Sequence, residues 1–401
     1  MTHDWFEEAG ILQTPPSTSR RNACAFVATS FGFGPVSKAV SIAKEMKAQT
    51  PDLETHYFGA GIAYEYAQKS EAFDCLINVD VDGPETILPL LPKLSSYRAV
   101  FSVLNLDLLS LWRSDLPPLY FVDSLAWMWP SLPDGIENVA CYFVQDYLVS
   151  PERIQEWAAA CPLVLVAPIE SVSNTRVKVP SGKRNRLLVN FSGCANPFAL
   201  PELYEKYALV MASSIVAEAG QRFESIVFCC NEKLADYLRK NLGTDPCVQV
   251  GHYAHEEFLR LLVSSVLVLS APGITSTLEA LASQTPLGFL LPQNDSQALM
   301  SERYRLLLGE ESCMAFSRFG SEFCFPPFLP KQESVGLALT LLQRILTTRQ
   351  PEIRSMICGL MALPPSYSIA NLRDNISNRW NCSGQQSIVS HFLSQERRRN
   401  D

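Results

Sequence analysis

The sequence has few charged residues, no long apolar run and no paired cysteine motif. Charged side chains make up 18% of its 401 residues, below the roughly 25% typical of soluble domains. The 33 Lys and Arg are outnumbered by 41 Asp and Glu, for a net charge of −8. This balance disfavours binding of the whole chain to nucleic-acid backbones or anionic membranes. No apolar run approaches the roughly 18 residues of a membrane-spanning helix.

Cysteine usage and the N-terminus exclude two further classes. Twelve cysteines in this length are too few for a disulfide scaffold, and no Cys-x-x-Cys pair supports a zinc site. The N-terminus opens with Asp4, Glu7 and Glu8 and lacks a basic-then-apolar secretory signal. We therefore expect a cytoplasmic protein with free thiols and no metal ion. At 47% hydrophobic residues the chain can bury real cores, which excludes global disorder.

What the chain does contain is two series of short apolar runs separated by helix-like stretches. Runs typical of buried parallel strands occupy Ala23–Thr29, Thr55–Gly59, Cys75–Val79, Ala99–Leu104, Leu119–Val122 and Leu163–Ala167. The second series occupies Leu187–Phe191, Ser225–Cys229, Val248–Val250, Val266–Ser270 and Leu287–Leu291. Strands that alternate with helices imply parallel crossovers, so the sequence predicts two doubly wound α/β units.

Composition suggests the domain boundaries. We expect a polar leader over 1–20, a first domain over 21–170, a polar linker over 171–186, a second domain over 187–350 and a helical tail over 351–401. The tail carries apolar residues at helical spacing that form one stripe suited to docking: Ile353, Met356, Ile357, Leu360 and Met361.

Two glycine turns connect an apolar run to a helix. The first, Ser30–Pro35, lacks the third glycine of the dinucleotide fingerprint. In the second, Gly273 allows close approach of a ligand, and the free N–H groups of residues 274 to 277 form the positive end of a helix dipole. Such a turn favours phosphate or another anion, with Glu279 placed for hydroxyl groups beside it. Alternatively, Thr275 or Ser276 only caps the helix.

The segment Glu256–Gln297 resembles the nucleotide-binding half of GT-B glycosyltransferases, particularly the branch of the lipid II-forming N-acetylglucosaminyltransferase and the antibiotic glycosyltransferases. The matching residues follow the family order of a glycine turn, a T-x-x-E-A-L-like helix, a proline-containing strand entry and a D-x-Q end: Gly273, Thr277, Glu279, Ala280, Leu281, Pro286, Pro292, Asp295 and Gln297. Leu187–Gly193 is similar to the first strand and Ser-Gly loop of the family's second domain. Phe33–Met46 is similar to its first glycine loop and helix.

The resemblance implies two Rossmann-like domains that face each other across a cleft, with a C-terminal helical crossover back to the first domain. It implies a nucleotide-sugar donor, for which we expect a UDP-sugar, with no tightly bound cofactor and no metal. The turn 273–277 would hold the diphosphate, Glu279 the ribose and Asp295 and Gln297 the sugar. The implied donor-binding residues are Gly34, Ser192, Gly193, His252, Tyr253, Gly273, Ile274, Thr275, Ser276, Thr277, Glu279, Asp295 and Gln297.

The acceptor side is expected at the strand ends of the first domain, where open α/β sheets bind ligands. Asp123 ends the run LYFV and is the candidate general base. Trp127 and Trp129 offer flat apolar faces for an acceptor, and Asn105 and Asp107 are weaker candidates. Alternatively, Asp123 caps a turn and the two tryptophans fill the core.

Many family members carry His or Asp where this chain has Pro35, which cannot accept a proton. The existence of a base and of catalytic activity therefore stays open. The expected function is inverting, metal-independent transfer of a sugar to a small-molecule or peptide-like acceptor, as in secondary metabolite biosynthesis. The alternatives are an inactive glycosyltransferase-like binding protein and a nucleotide-sugar epimerase. No nucleic-acid partner is expected, and the acceptor, the sugar, the nucleobase and the oligomeric state stay open.

Overall fold

The computed structural model describes residues 22–30, 32–169, 185–192, 194, 199–220, 222–362, 380 and 382–400. The predicted leader, nearly all of the predicted linker and Gly193 lie outside these residues. The described strands form two sheets, one of seven strands and one of five, and every pairing within them is parallel. This arrangement confirms the predicted α/β fold with two Rossmann-like units.

The first sheet has the strand order β3-β2-β1-β4-β5-β6-β7. Its strands are β1 Ala23–Ala28, β2 Glu54–Gly59, β3 Cys75–Asn78, β4 Ala99–Val103, β5 Leu119–Asp123, β6 Cys141–Gln145 and β7 Leu163–Val166. The helices that connect them are α1 Gly34–Gln49, α2 Gly61–Ser70, α3 Pro84–Ile87, α4 Leu91–Leu94, α5 Leu106–Leu111 and α6 Pro151–Ala158, with 3₁₀ turns at Leu88–Leu90 and Ile136–Asn138.

Both faces of the first sheet are covered. Successive residues of β1 enter opposite cores, since Phe26 packs with α1 and α2 whereas Ala25 and Val27 pack with α5 and α6. Side chains alternate across a strand, so a strand buried on both faces must be apolar throughout. This is why the central strands of this sheet read as continuous apolar runs.

The second sheet has the order β10-β9-β8-β11-β12. Its strands are β8 Arg186–Asn190, β9 Ser225–Cys229, β10 Val248–Gly251, β11 Leu267–Ser270 and β12 Leu287–Phe289. Its helices are α7 Pro201–Ala219, α8 Glu232–Asn241, α9 His255–Val263, α10 Ile274–Ser283, α11 Asp295–Leu308, α12 Lys331–Thr348 and α13 Gln350–Met361, with 3₁₀ turns at Glu310–Ser312, Phe316–Phe319 and Ser321–Phe323.

The C-terminal part of the chain returns to the first domain. Helix α13 packs into the second core through Ile353, Ile357 and Leu360, so the predicted apolar stripe docks there. The last helix, α14 (Gly384–Asn400), contacts α1 and β7 and contributes Ile388, Val389 and Phe392 to the first core. This arrangement confirms the C-terminal helical crossover.

The two domains also share a core. Trp127, Met128 and Tyr147 of the first domain pack in one cluster with Leu278 and Tyr304 of the second. The Tyr147 and Tyr304 hydroxyls are hydrogen-bonded within it. This shared core holds the strand ends of the two sheets towards each other, which is where the cleft forms.

Candidate functional site in the cleft between the domains

A cavity of about 730 Å³ lies between the carboxyl ends of the strands of both sheets. We call the cavity-lining residues between 29 and 134 the first-domain wall and those between 190 and 335 the second-domain wall. In each sheet the strand order reverses beside the first strand, between β1 and β4 and between β8 and β11. Ligands of open α/β sheets bind at such reversals, and both reversals border this cavity.

The turn after β11 presents the start of α10 to the cavity. Gly273 precedes the helix in extended conformation, makes no side-chain cap hydrogen bond, and the first turn of α10 contains no acidic residue. Thr275 and Ser276 line the cavity together with Gly273 and Ile274, and Asn190 Nδ2 donates to Ser276 Oγ (2.9 Å). The N–H groups at a helix start bind anions, so this turn has the chemistry of a phosphate site.

Thr277 differs from the other residues of this turn. Its side chain is fully buried, and its hydroxyl donates to the Gly273 carbonyl oxygen (2.6 Å) and pairs with the Tyr304 hydroxyl (3.2 Å). It does not line the cavity. Thr277 therefore holds the turn in place, and the structure does not support its predicted contact with the donor.

Glu279 and His255 form a hydrogen-bonded pair in the second-domain wall. The Glu279 side chain is 4% exposed and Oε1 accepts from His255 Nε2 (2.7 Å). Both residues line the cavity; Glu279 lies about one helical turn after the start of α10, and His255 is the first residue of α9. A carboxylate at this position can accept hydrogen bonds from hydroxyl groups that lie beside an anion bound at the turn.

The remaining described candidates of the second domain also line the cavity: Ser192, His252, Tyr253, Asp295 and Gln297. His252 Nδ1 donates to the Cys230 carbonyl oxygen (3.2 Å), so its Nε2 accepts from Lys69 Nζ of the first domain (3.2 Å). Burial raises the pKa of Asp295, whereas hydrogen bonds, including one from Ser334 Oγ, lower it.

Sequence reasoning missed Lys38, which comes one turn after Gly34 on α1. Gly34 and Lys38 both line the cavity, and Lys38 is only 3% exposed. Its Nζ donates to the Gly34 carbonyl oxygen (3.3 Å) and, across the cleft, to Thr275 Oγ1 (3.5 Å). Burial lowers the pKa of Lys38 to about 8, against an opposing influence of Glu279. A basic residue one turn into a helix that follows a glycine turn was the available signal.

The structure does not support Asp123 as the general base. Its side chain is fully buried and does not line the cavity. Its carboxylate accepts from the Leu125 backbone N–H (2.5 Å), Trp129 Nε1 (2.8 Å) and the Tyr142 hydroxyl (2.7 Å). Burial raises the pKa of Asp123, and these hydrogen bonds oppose that rise. Because three internal donors hold the carboxylate, it fixes the loop after β5 and does not line the cavity.

Of three residues predicted to bind the acceptor, Asn105 and Trp127 are buried outside the cavity, and only Trp129 lines it. Asn105 is 2% exposed; its Oδ1 caps α5 by accepting from the Leu108 N–H, and its Nδ2 donates to the Val81 carbonyl oxygen. Trp127 is 2% exposed and belongs to the shared core. Trp129 alone of these three lines the cavity.

The first-domain wall is mainly apolar. Its lining side chains include Phe33, Leu106, Leu125, Met128, Trp129 and Leu132. Two carboxylates, Asp107 and Asp134, lie in the same wall, and Asp107 Oδ2 is 3.8 Å from Lys331 Nζ of the second domain. Pro35 also lines the cavity, so any base must come from another position.

The described residues show neither a metal-binding cluster nor a membrane-spanning helix. No group of three or more His, Cys, Asp and Glu side chains in this part of the chain is arranged to hold a metal ion. Within the same residues, no helix combines the length and the apolar composition that crossing a membrane requires.

No protein-family profile and no curated protein sequence matches the chain, but solved structures do. A UDP-glucose:anthocyanidin 3-O-glucosyltransferase in complex with UDP is 10% identical, with a TM-score of 0.53 over 94% of this chain and 99% of that one. The glycosyltransferase of kitacinnamycin is 14% identical, with a TM-score of 0.52 over 93% and 98%. A putative UDP-N-acetylglucosamine 2-epimerase from Listeria monocytogenes is 12% identical, with a TM-score of 0.51 over 93% and 96%.

These similarities establish that the chain has the two-domain GT-B fold, as the sequence resemblance implied. Transferases and an epimerase are both among the similar structures. The fold alone therefore does not select the reaction, which must be argued from the cleft.

Proposed function

We propose that the protein transfers a sugar from a nucleotide diphosphate donor, a UDP-sugar, to a small apolar acceptor. The observation that carries the proposal is one continuous piece of the second-domain wall. An uncapped helix start at Gly273–Ser276 and the buried Glu279 carboxylate line the same cavity, one helical turn apart. An anion site directly beside a hydroxyl-binding carboxylate matches the diphosphate and ribose of a nucleotide.

Other lining residues are proposed to complete the donor site. Ser192 of the second-domain wall and Gly34 of the first-domain wall are proposed to border the diphosphate, and His252 and Tyr253 to contact the nucleobase. Asp295 and Gln297 at the start of α11 are proposed to bind the sugar hydroxyls. The order of Gly273, Glu279 and Gln297 along the chain supports relatedness to the lipid II-forming and antibiotic glycosyltransferases.

The acceptor is proposed to lie against the apolar first-domain wall. Trp129, Leu132 and Met128 favour a flat, weakly polar molecule that carries a hydroxyl group. The flat apolar faces of this part of the wall suit a small molecule better than an extended peptide, which is why we favour a small molecule.

The reaction is proposed to be a single displacement. The acceptor oxygen attacks the anomeric carbon on the face opposite the diphosphate, the bond from that carbon to the phosphate oxygen breaks, and the configuration inverts. The N–H groups at the start of α10 stabilise the charge on the departing diphosphate. Asp107, which lines the first-domain wall, takes the proton of the acceptor hydroxyl and contributes about 10²- to 10⁴-fold.

The proposal is tested in two steps. Calorimetry compares UDP, uridine and UDP-glucose as ligands of the intact protein, and a UDP-release assay then screens phenolic and other apolar hydroxylated acceptors. Asp107→Asn is expected to keep UDP affinity and to lose at least 100-fold in turnover. Asp115→Asn is the matched control, because Asp115 is an exposed carboxylate outside the cavity.

Each other outcome has a distinct meaning. Absence of UDP binding at millimolar concentration would overturn the proposal. Binding without turnover across the acceptor panel would favour an inactive binding protein. Isomerisation of a UDP-sugar without any acceptor would identify an epimerase.

A further inference from the structure

Lys38 is a buried cation that the first domain places at the anion-binding turn of the second. It lies on α1, lines the cavity and is 3% exposed. Its hydrogen bonds go to neutral oxygens, the Gly34 carbonyl (3.3 Å) and Thr275 Oγ1 (3.5 Å). Among the described residues it forms no ion pair within 4.0 Å, although Glu279 acts on it at longer range.

A buried ammonium group without a close counter-charge is costly. Burial has already lowered the pKa of Lys38 to about 8, so the side chain is held in a place where its charge is poorly compensated. A bound anion at the same place would supply the missing counter-charge. The position therefore has the electrostatics of a site whose partner is a ligand.

The location of Lys38 specifies the ligand class. Thr275, which its ammonium group contacts, is the second residue of α10, at the helix start whose N–H groups face the cavity. An anion at this turn would have helix N–H groups on one side and the Lys38 ammonium on the other. Charge-assisted contacts from both sides suit the phosphates of a nucleoside diphosphate.

We infer that Lys38 is the first domain's contribution to the donor site: it neutralises the diphosphate of a nucleoside diphosphate sugar and stabilises that group as it departs. The inference rests on the proposed function. When the bond from the anomeric carbon to the phosphate oxygen breaks, its electron pair stays on that oxygen, which the Lys38 ammonium and the N–H groups of α10 face. No proton moves to or from Lys38 in this step.

The test separates the diphosphate from the nucleoside. UDP and uridine are titrated by calorimetry into the wild type, Lys38→Met and Lys38→Arg. Lys38→Met is expected to weaken UDP binding about 10- to 100-fold and to leave uridine binding unchanged, whereas Lys38→Arg keeps most of the UDP affinity. Lys44→Met is the matched control, because Lys44 is exposed on the same helix and lies outside the cavity.

Stability is measured beside binding. Removal of a buried, poorly compensated charge is expected to leave the melting temperature of ligand-free Lys38→Met at or above that of the wild type. A variant that melts lower and loses uridine and UDP binding together would show a structural role and overturn the inference.

The two proposals fail in different ways. If the wild type binds UDP and Lys38→Met binds it equally well, the role of Lys38 is refuted while the donor site stands. If the wild type binds neither UDP nor UDP-glucose, the proposed function and the inference both fall.

Discussion

The two walls of the cleft differ in how their chemistry is assembled along the chain. The second-domain wall is built from several segments, but the residues proposed to bind the diphosphate, ribose and sugar, from Gly273 to Gln297, come from one short stretch of the chain. On the first-domain wall, the lining side chains come from four separate segments: those after β1, β4 and β5, and Tyr66 on α2. The relative positions of residues in one short motif are set by local backbone structure, so they can be predicted from the sequence. The position of a single polar residue at a strand end depends on tertiary packing, so it cannot.

Two buried carboxylates, one in each domain, illustrate this difference in predictability. Asp123 is the last residue of β5 and Glu279 is the sixth residue of α10, and both are almost fully buried. Three donors of its own domain surround Asp123, whereas Glu279 lines the cavity beside His255. Burial therefore does not distinguish the two carboxylates. They differ because Glu279 lines the cavity, whereas the Asp123 carboxylate accepts hydrogen bonds from within its own domain and does not line the cavity.

The largest expected effect is on stability, from Asp123→Ala. The substitution leaves the Tyr142 hydroxyl, Trp129 Nε1 and the Leu125 N–H without their acceptor, at about 1–3 kcal/mol for each orphaned group. We expect the free energy of unfolding in urea to fall by several kcal/mol. UDP affinity of the folded protein should stay within twofold of the wild type. Wild-type stability combined with lost turnover would instead restore Asp123 as a base.

The next effect is on donor binding, from Glu279→Gln. If Glu279 accepts hydrogen bonds from the ribose, UDP affinity should fall about 10- to 100-fold, since hydrogen bonds to charged groups are strong. Glu256→Gln, an exposed change on α9, is the control and should have no effect. Calorimetry with dideoxy-UDP sharpens the test, because without ribose hydroxyls the two proteins should bind alike. A loss that persists with this analogue would contradict the ribose contact.

A smaller effect is expected from pH, through Lys38. Because burial lowers the pKa of Lys38 to about 8, the side chain loses its proton as the pH rises through that value. UDP affinity should therefore fall, by up to about tenfold, between pH 7 and 9.5. The stability of the ligand-free protein should rise in the same window, since the unfolded chain then binds more protons at this lysine.

Glu279, His255 and Tyr66 also lie around this turn, so the pH profile needs two references. Uridine titrations correct for ionisation of the uracil ring, and Lys38→Arg retains its charge throughout the window. A profile that is equally steep in Lys38→Arg would assign the pH dependence to another group.

The smallest effect is expected on the first-domain wall, from Leu132→Ala. Partial loss of an apolar contact should raise the KM for an apolar acceptor about three- to fivefold, at roughly 0.8 kcal/mol for each buried methylene. UDP affinity should not change. Leu88→Ala is the control, because Leu88 is 53% exposed and lies outside the cavity. Equal KM values in the two variants would place the acceptor elsewhere.

The strands were largely predictable because each buried strand is a short apolar run. The exception is β6, Cys141–Gln145, which has the same apolar character. The segment between β5 and β6 contains a 3₁₀ turn, Ile136–Asn138, and no α-helix, so the alternation of strands and helices gave no signal there. The positions of the strands in the sheets also required the structure, because pairing joins residues that are distant in the chain.

The donor turn was predictable for a similar reason: a strand, a glycine and a helix start within a few residues imply the orientation of its N–H groups. Lys38 was not predicted because its significance depends on how the two domains face each other. Its contact with Thr275 joins positions in different domains. Asp123 and Trp127 were assigned to the acceptor because of their residue types, but internal hydrogen bonding and packing determine where they point.

The crossing helix α14 has a consequence for how the protein is made. The Phe392 ring packs edge-on against the rings of Phe101 and Tyr120, with centroids 5.4 Å apart in each pair, and Glu396 pairs with Arg98. A ribosome synthesises the whole first sheet, and then the whole second domain, before it reaches these residues. Until then part of one apolar face of the first sheet is exposed, and such surfaces invite misassembly. The first domain is therefore translated before the second domain and completed only after it.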